Sequence, residues 1–202
     1  GQGDFTVESW VNLQELNRTQ TLLNHGTYMS SYSWFLMVDS NNHLGFYTGP
    51  GSWAGGPSFT ASSFTFNANT WHHVAIQRKG SSFSIYIDGK LTTGYSTSIS
   101  DFSMVNNPLW VGKWMYPYAT DLNGRIDGLR LSKGVARYSS NFTPPSERFT
   151  SDSYTKLLVY TDPQTGIKDI SSLSHAFTKY GNTTVDVSSS AQTIPGTETY
   201  KV

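Results

Sequence analysis

Carboxylates are the first place to look for chemistry, and glutamate is scarce here: Glu8, Glu15, Glu147 and Glu198 are the only four. Retaining glycoside hydrolysis needs two carboxyl groups about 5 Å apart, and these four are scattered along the chain. Five histidines and many serines are present, but no Gly-x-Ser-x-Gly turn marks a nucleophile. His72 and His73 are adjacent on a strand-like run, where neighbouring side chains face opposite ways. They therefore cannot share one metal ion, and the pair reads as one core residue and one exposed residue. Cysteine is absent, which removes thiol chemistry and disulfides.

Aromatic side chains carry the sharper signal. Pyranose rings present flat apolar faces that stack on Trp and Tyr, while neutral amides fix hydroxyls. Two turn-rich segments offer this combination. One is 49–57, where Trp53 stands among Gly, Pro, Ser and Ala. The other groups Trp114, Tyr116 and Tyr118 ahead of Asp121 and Asn123. For Trp114, Tyr116 and Tyr118, sealing the rim of a fold or packing on another subunit stands equally beside sugar stacking. Trp10, Trp34, Trp71 and Trp110 lie inside apolar runs and read as core residues.

The elements that must position these groups are strands. Phe83, Ile85 and Ile87 alternate with Ser84, Tyr86 and Asp88, the period of a strand with one buried face. Similar runs fall near 5–13, 20–25, 33–39, 43–48, 58–66, 71–79, 90–97, 108–113, 124–132, 155–161 and 167–187, separated by turns such as Asp39-Ser40-Asn41-Asn42 and Asp88-Gly89. This predicts an all-β, two-sheet antiparallel sandwich, with a single helical turn at Gly134–Tyr138. A single domain over 1–187 is expected, followed by a polar extension or arm over 188–202. Charged residues are 14% of the chain, against about 25% in ordinary globular proteins. Lys plus Arg equals Asp plus Glu, so no basic footprint for nucleic acid exists. No apolar run reaches the roughly 20 residues of a helical span, so membrane insertion is not expected. The polar start without Met reads as a processed or excised chain.

Three segments resemble one family in its own order. Phe5-Thr6-Val7-Glu8-Ser9-Trp10-Val11 is similar to its early strand. Trp71–Arg78 followed by Phe83–Gly89 is similar to its central hairpin. Gly124-Arg125-Ile126-Asp127-Gly128-Leu129-Arg130-Leu131-Ser132, running into Lys133–Tyr138 and Asn141-Phe142-Thr143-Pro144-Pro145, is similar to its closing segment. These resemble laminin-G-like, concanavalin A-like lectin/glucanase domains, which implies a jelly roll. Leu157–Asp162 and Ile167–Thr178 look like that family's opening hairpin, displaced to the end. A circular permutation in which 151–187 completes the sheets is favoured over a cut through a tandem array.

Laminarinase-like relatives carry a Glu-x-Asp-x-x-Glu strand that is missing here, so no enzyme is expected and Glu8 is assigned a structural role. No cofactor is expected; structural calcium is the one candidate, at Asp127 and Asp169, positions that match family sites. The closing motif looks most like versions in bacteriophage structural proteins. That implies a virion-surface component, capsid decoration or tail adhesin, self-associating or bound to other virion proteins and gripping host polysaccharide. The alternative is a carbohydrate-binding module of a secreted bacterial enzyme; a glycoside hydrolase ranks last. The candidate ligand residues are Trp53, Trp114, Tyr116, Tyr118 and Asn123.

Overall fold

The computed structural model describes residues 3–26, 34–48, 58–96, 108–114, 120–162 and 166–184. Trp53, Tyr116, Tyr118 and the 188–202 extension lie outside the described residues. Among the described residues twelve strands are present: β1 (Phe5–Leu13), β2 (Gln20–His25), β3 (Trp34–Val38), β4 (Leu44–Thr48), β5 (Ser58–Thr60), β6 (Trp71–Lys79), β7 (Ser82–Ile87), β8 (Lys90–Ser96), β9 (Leu109–Val111), β10 (Gly124–Lys133), β11 (Thr155–Asp162) and β12 (Gly166–Asp169). They form two antiparallel sheets, ordered β12-β11-β10-β1-β6-β7-β8 and β5-β4-β3-β2-β9. This is the sandwich that the alternating pattern predicts. The hairpin β11–β12 pairs through β11 with β10 and extends the larger sheet.

Period-two burial builds the core. Phe83, Ile85 and Ile87 are buried with Val7, Val11, Leu36 and Phe46 in one cluster between the sheets. Phe46 meets Phe5, Phe59 and Phe83 at centroid separations of 6.2, 5.5 and 6.1 Å. Each such side chain contributes about 1.5–3 kcal/mol by leaving water. The register of β1 on β10 shifts between Glu8 and Trp10, and Gly128, at φ +59°, takes the extra residue of this bulge. A side chain in that conformation costs about 1–2 kcal/mol. Ser9 Oγ donates to the Asp127 carbonyl at 3.1 Å beside it.

The structure corrects the predicted elements in four places. No helical turn forms at Gly134–Tyr138. The Arg137 N–H donates to Thr6 Oγ1 at 3.0 Å and the Tyr138 N–H to Gln77 Oε1 at 3.0 Å, so sheet side chains take donors that a helix would use internally. Gly134 adds a φ of +89°. Residues 134–149 instead form an irregular strap across the outer face of the larger sheet. Phe142 N–H donates to Gly89 O at 2.8 Å, Leu91 N–H to Asn141 Oδ1 at 2.9 Å, and the Tyr138 and Phe142 rings stack on each other and meet Tyr86 at a 56° tilt.

The other corrections concern strand ends and histidine. The 58–66 run is a strand only to Thr60, because the chain turns at Ala61, whose N–H donates to Leu44 O, and Phe64 and Phe66 fold onto His72. The 167–187 run ends at Asp169, which caps the following turn. His72 and His73 are both buried: His72 faces Phe64 and Phe66, and His73 lies beneath the strap against Phe142 and Phe149. With both faces of this sheet covered, neither histidine reaches solvent.

Candidate functional site

Among the described residues the smaller sheet stops at β9, while the larger one continues through β10, β11 and β12. The mismatch opens a cleft of about 1320 Å³ between the β9 edge and the inner face of β10–β12. Its floor holds Leu129, Leu131, Leu157 and Val159; its walls are β9, the 121–125 segment and the chain after Ser171.

Trp110 is the ring that the architecture brings to this opening. Alternation along β9 turns it away from the core, in a row with Asn24, Phe35 and Tyr47 across β2, β3 and β4. The row ends at β9, so Trp110 stays half-buried and meets Tyr180 at 5.0 Å with a 56° tilt. Tyr180 is 51% exposed. The sequence reading placed Trp110 in the core; Pro108 and Gly112, which bracket it, were the available sign of a short edge strand.

Asn123 lies on the rim and is exposed. Its N–H donates to Gln20 Oε1 at 2.9 Å, and its amide Nδ2 donates to Glu15 Oε2 at 3.1 Å. The amide carbonyl faces no partner in either contact. Trp114 is only 7% exposed, with its ring 4.8 Å from that of Phe35, and its N–H donates to Asp121 Oδ1 at 2.8 Å.

Glu8 and Asp121 are occupied within the fold. Glu8 is fully buried and accepts Arg130 Nε and Nη2 at 2.8 and 2.7 Å, together with the Tyr138 hydroxyl. Burial pushes its carboxyl up, but the His73 contact and the Arg130 charge outweigh this and hold it below the usual range. Asp121 is the one carboxylate lining the cleft among the described residues, and it takes Lys113 Nζ at 3.1 Å as well as the Trp114 N–H.

Of the two calcium positions, Asp169 is engaged by the fold's own donors. Asp169 accepts the N–H groups of Leu158, Ser171 and His175, the Ser171 hydroxyl and His175 Nδ1, at 2.6–2.9 Å. Against the cost of burial, these donors lower its pKa to about 2. A carboxylate with about four lone-pair positions has none left for a cation. Asp127 is buried within β10, and its backbone carbonyl takes the Ser9 hydroxyl at 3.1 Å.

The model of the concanavalin A-like lectin/glucanases superfamily known as Laminin_G_3 matches residues 1–137. A candidate carbohydrate-binding protein from Bacteroides ovatus is similar in structure, with TM-score 0.66 and 18% identity over 83% of this chain and 49% of that one. The chain thus spans about half of that protein's length. The CBM40 of the Ruminococcus gnavus IT-sialidase gives TM-score 0.56 and 13% identity, covering 68% of this chain and 79% of the other. Domain 4 of AbnA, an extracellular arabinanase of Geobacillus stearothermophilus solved with arabinotriose, gives 0.50 and 19% over 65% and 61%. At these identities the likeness is one of fold. No curated protein sequence matches the chain.

Proposed function

Since the chain belongs to the concanavalin A-like lectin/glucanase superfamily, we propose that it is a non-catalytic carbohydrate-binding module of an extracellular bacterial protein, with its glycan seated in the cleft beside β9. The observation that carries this reading is the meeting of half-buried Trp110 with exposed Tyr180 on an open cleft, with the Asn123 amide on the rim. Rings supply stacking surface and the amide supplies hydroxyl recognition. The one cleft carboxylate among the described residues is tied to Lys113 and a backbone amide, which supports a binding role over hydrolysis. The glycan-binding relatives lend the same reading weight by fold.

A role as a phage-virion component finds no separate support. The Lys133–Tyr138 and Asn141–Pro145 motif that suggested it is accounted for by its packing as the strap over β1, β6 and β7. Titration calorimetry with arabinotriose, 3′-sialyllactose and laminarihexaose tests the proposal. Binding of at least one of them is expected, lost in Trp110→Ala with the circular dichroism spectrum unchanged. Absence of binding across this set and a wider glycan array, or binding that survives Trp110→Ala, would overturn it. Light scattering should report a monomer, as suits a module with an open groove.

A further inference from the structure

One position at the bottom of the cleft breaks the apolar pattern of its floor. Alternation along β11 puts Thr161 on the same face as Leu157 and Val159, and it lines the cleft with them. Directly opposite, on β12, is Ile167, half-buried and also part of the lining. The backbone here is held, since the Thr161 carbonyl accepts from Arg148 Nη2 at 3.2 Å. The side chain is not: Thr161 is 2% exposed, yet its hydroxyl has no hydrogen-bond partner among the described residues. Trp110 Nε1, on the β9 wall, is likewise buried and without one.

An unpaired buried hydroxyl costs free energy, and native folds pair most of them. At the other end of the same strand the Thr155 hydroxyl obeys this rule, donating to Asp152 Oδ1 at 2.8 Å. A partner for Thr161 has to enter through the cleft, and it has to sit against Val159 and Ile167. A sugar hydroxyl suits the first condition only, because the carbons beside it carry further hydroxyls that an apolar floor leaves unpaired. An acetamido group suits both: its methyl covers Val159 and Ile167 while its carbonyl oxygen accepts from Thr161 Oγ1. Resting on the reading of the cleft as a glycan site, we propose that its ligand is an N-acetylated sugar, held by its acetamido group at Thr161. A pyranose face then lies on Trp110 and Tyr180, and the indole N–H of Trp110 donates to a sugar oxygen.

The test uses titration calorimetry on the full chain with sugars that differ only in this group: chitotriose against cellotriose, and N-acetyllactosamine against lactose. The acetamido member of at least one pair is expected to bind about tenfold more tightly, the size of one hydrogen bond and one buried methyl together. Thr161→Val removes the hydroxyl at nearly constant shape and should erase the preference. Its thermal midpoint should equal or exceed that of the native protein, because no bond within the fold is lost. Thr161→Ser keeps the hydroxyl and should keep the preference. Equal binding within both pairs, a preference that survives Thr161→Val, or a Thr161→Val protein that melts well below the native one would overturn the acetamido class and leave the glycan reading standing. No binding of any sugar, these four and the earlier three included, would take both down.

Discussion

Arg130 presents Nε and Nη2 to a single oxygen of Glu8, at 2.8 and 2.7 Å, where the Glu8 side chain has no exposed surface. The two residues are direct neighbours across β10 and β1. The guanidinium also lies 4.3 Å from the Phe149 ring centroid, and the second Glu8 oxygen takes the Tyr138 hydroxyl. One buried ion pair thus anchors both ends of the strap. Removing one partner strands the other charge, which costs about 3–5 kcal/mol. Arg130→Met should lose that much stability in urea unfolding. The paired change Arg130→Met with Glu8→Leu should recover part of it; if the double variant is no more stable than the single one, stranded charge is not the cause.

Asp169 gives the fold an acid limit of defined direction. Its pKa of about 2 lies below the ordinary 3.8, so its stabilising effect is complete above pH 4 and is lost as pH falls through 2. A depression of this size corresponds to about 2 kcal/mol. Asp169→Asn should be less stable than the native protein by about that amount at pH 7, and the gap should close between pH 4 and pH 2 in thermal melts. A gap that stays constant over that range would assign the stabilisation to something other than ionisation.

Gly89 is a steric keystone. It sits at φ +74°, and a Cβ there would stand 1.8 Å from the Phe142 carbonyl oxygen. Backbone must move to admit it, so the Phe142 N–H bond to Gly89 O is lost along with the fit. Gly89→Ala should cost about 2 kcal/mol or more. Gly80, also at positive φ but with nothing within 4 Å, serves as the control. Gly80→Ala should cost only the backbone strain, about 1 kcal/mol.

Trp114 and Trp110 should separate cleanly. Trp114→Ala empties a buried site against Phe35 and should lower stability by about 3 kcal/mol, read by denaturant titration. Trp110→Ala, at a half-buried edge position, should lower stability less and abolish glycan binding. The reverse pattern would exchange their roles.

Alternation was enough to read the sandwich, because residues such as Phe83, Ile85 and Ile87 obey a local rule that tertiary structure then respects. The same rule misread Gly134–Tyr138, whose conformation is set by Thr6 and Gln77 more than 60 residues away in sequence. It also ran the last strand past Asp169, since nothing local announces a carboxylate that collects five donors. At the cleft, the surface position of Asn123 is legible from the polar stretch around it. That of Trp110 is not, because its exposure depends on β9 being the last described strand of its sheet, a fact of topology rather than of composition.

The position of β1 bears on how the chain is made. β1 lies between β6 and β10, and Phe5 pairs with Arg78 on one side and Lys133 on the other. A strand synthesised before both its partners must therefore wait for them. At ribosomal speeds of about 5–20 residues per second, Lys133 follows Phe5 by roughly 6–26 s. Until then Val7, Val11 and Leu13 lack part of their neighbours, and the edge of β1 that will meet β10 is open to pairing with other nascent chains. Aggregation during synthesis, rather than instability of the finished domain, is the hazard this topology sets.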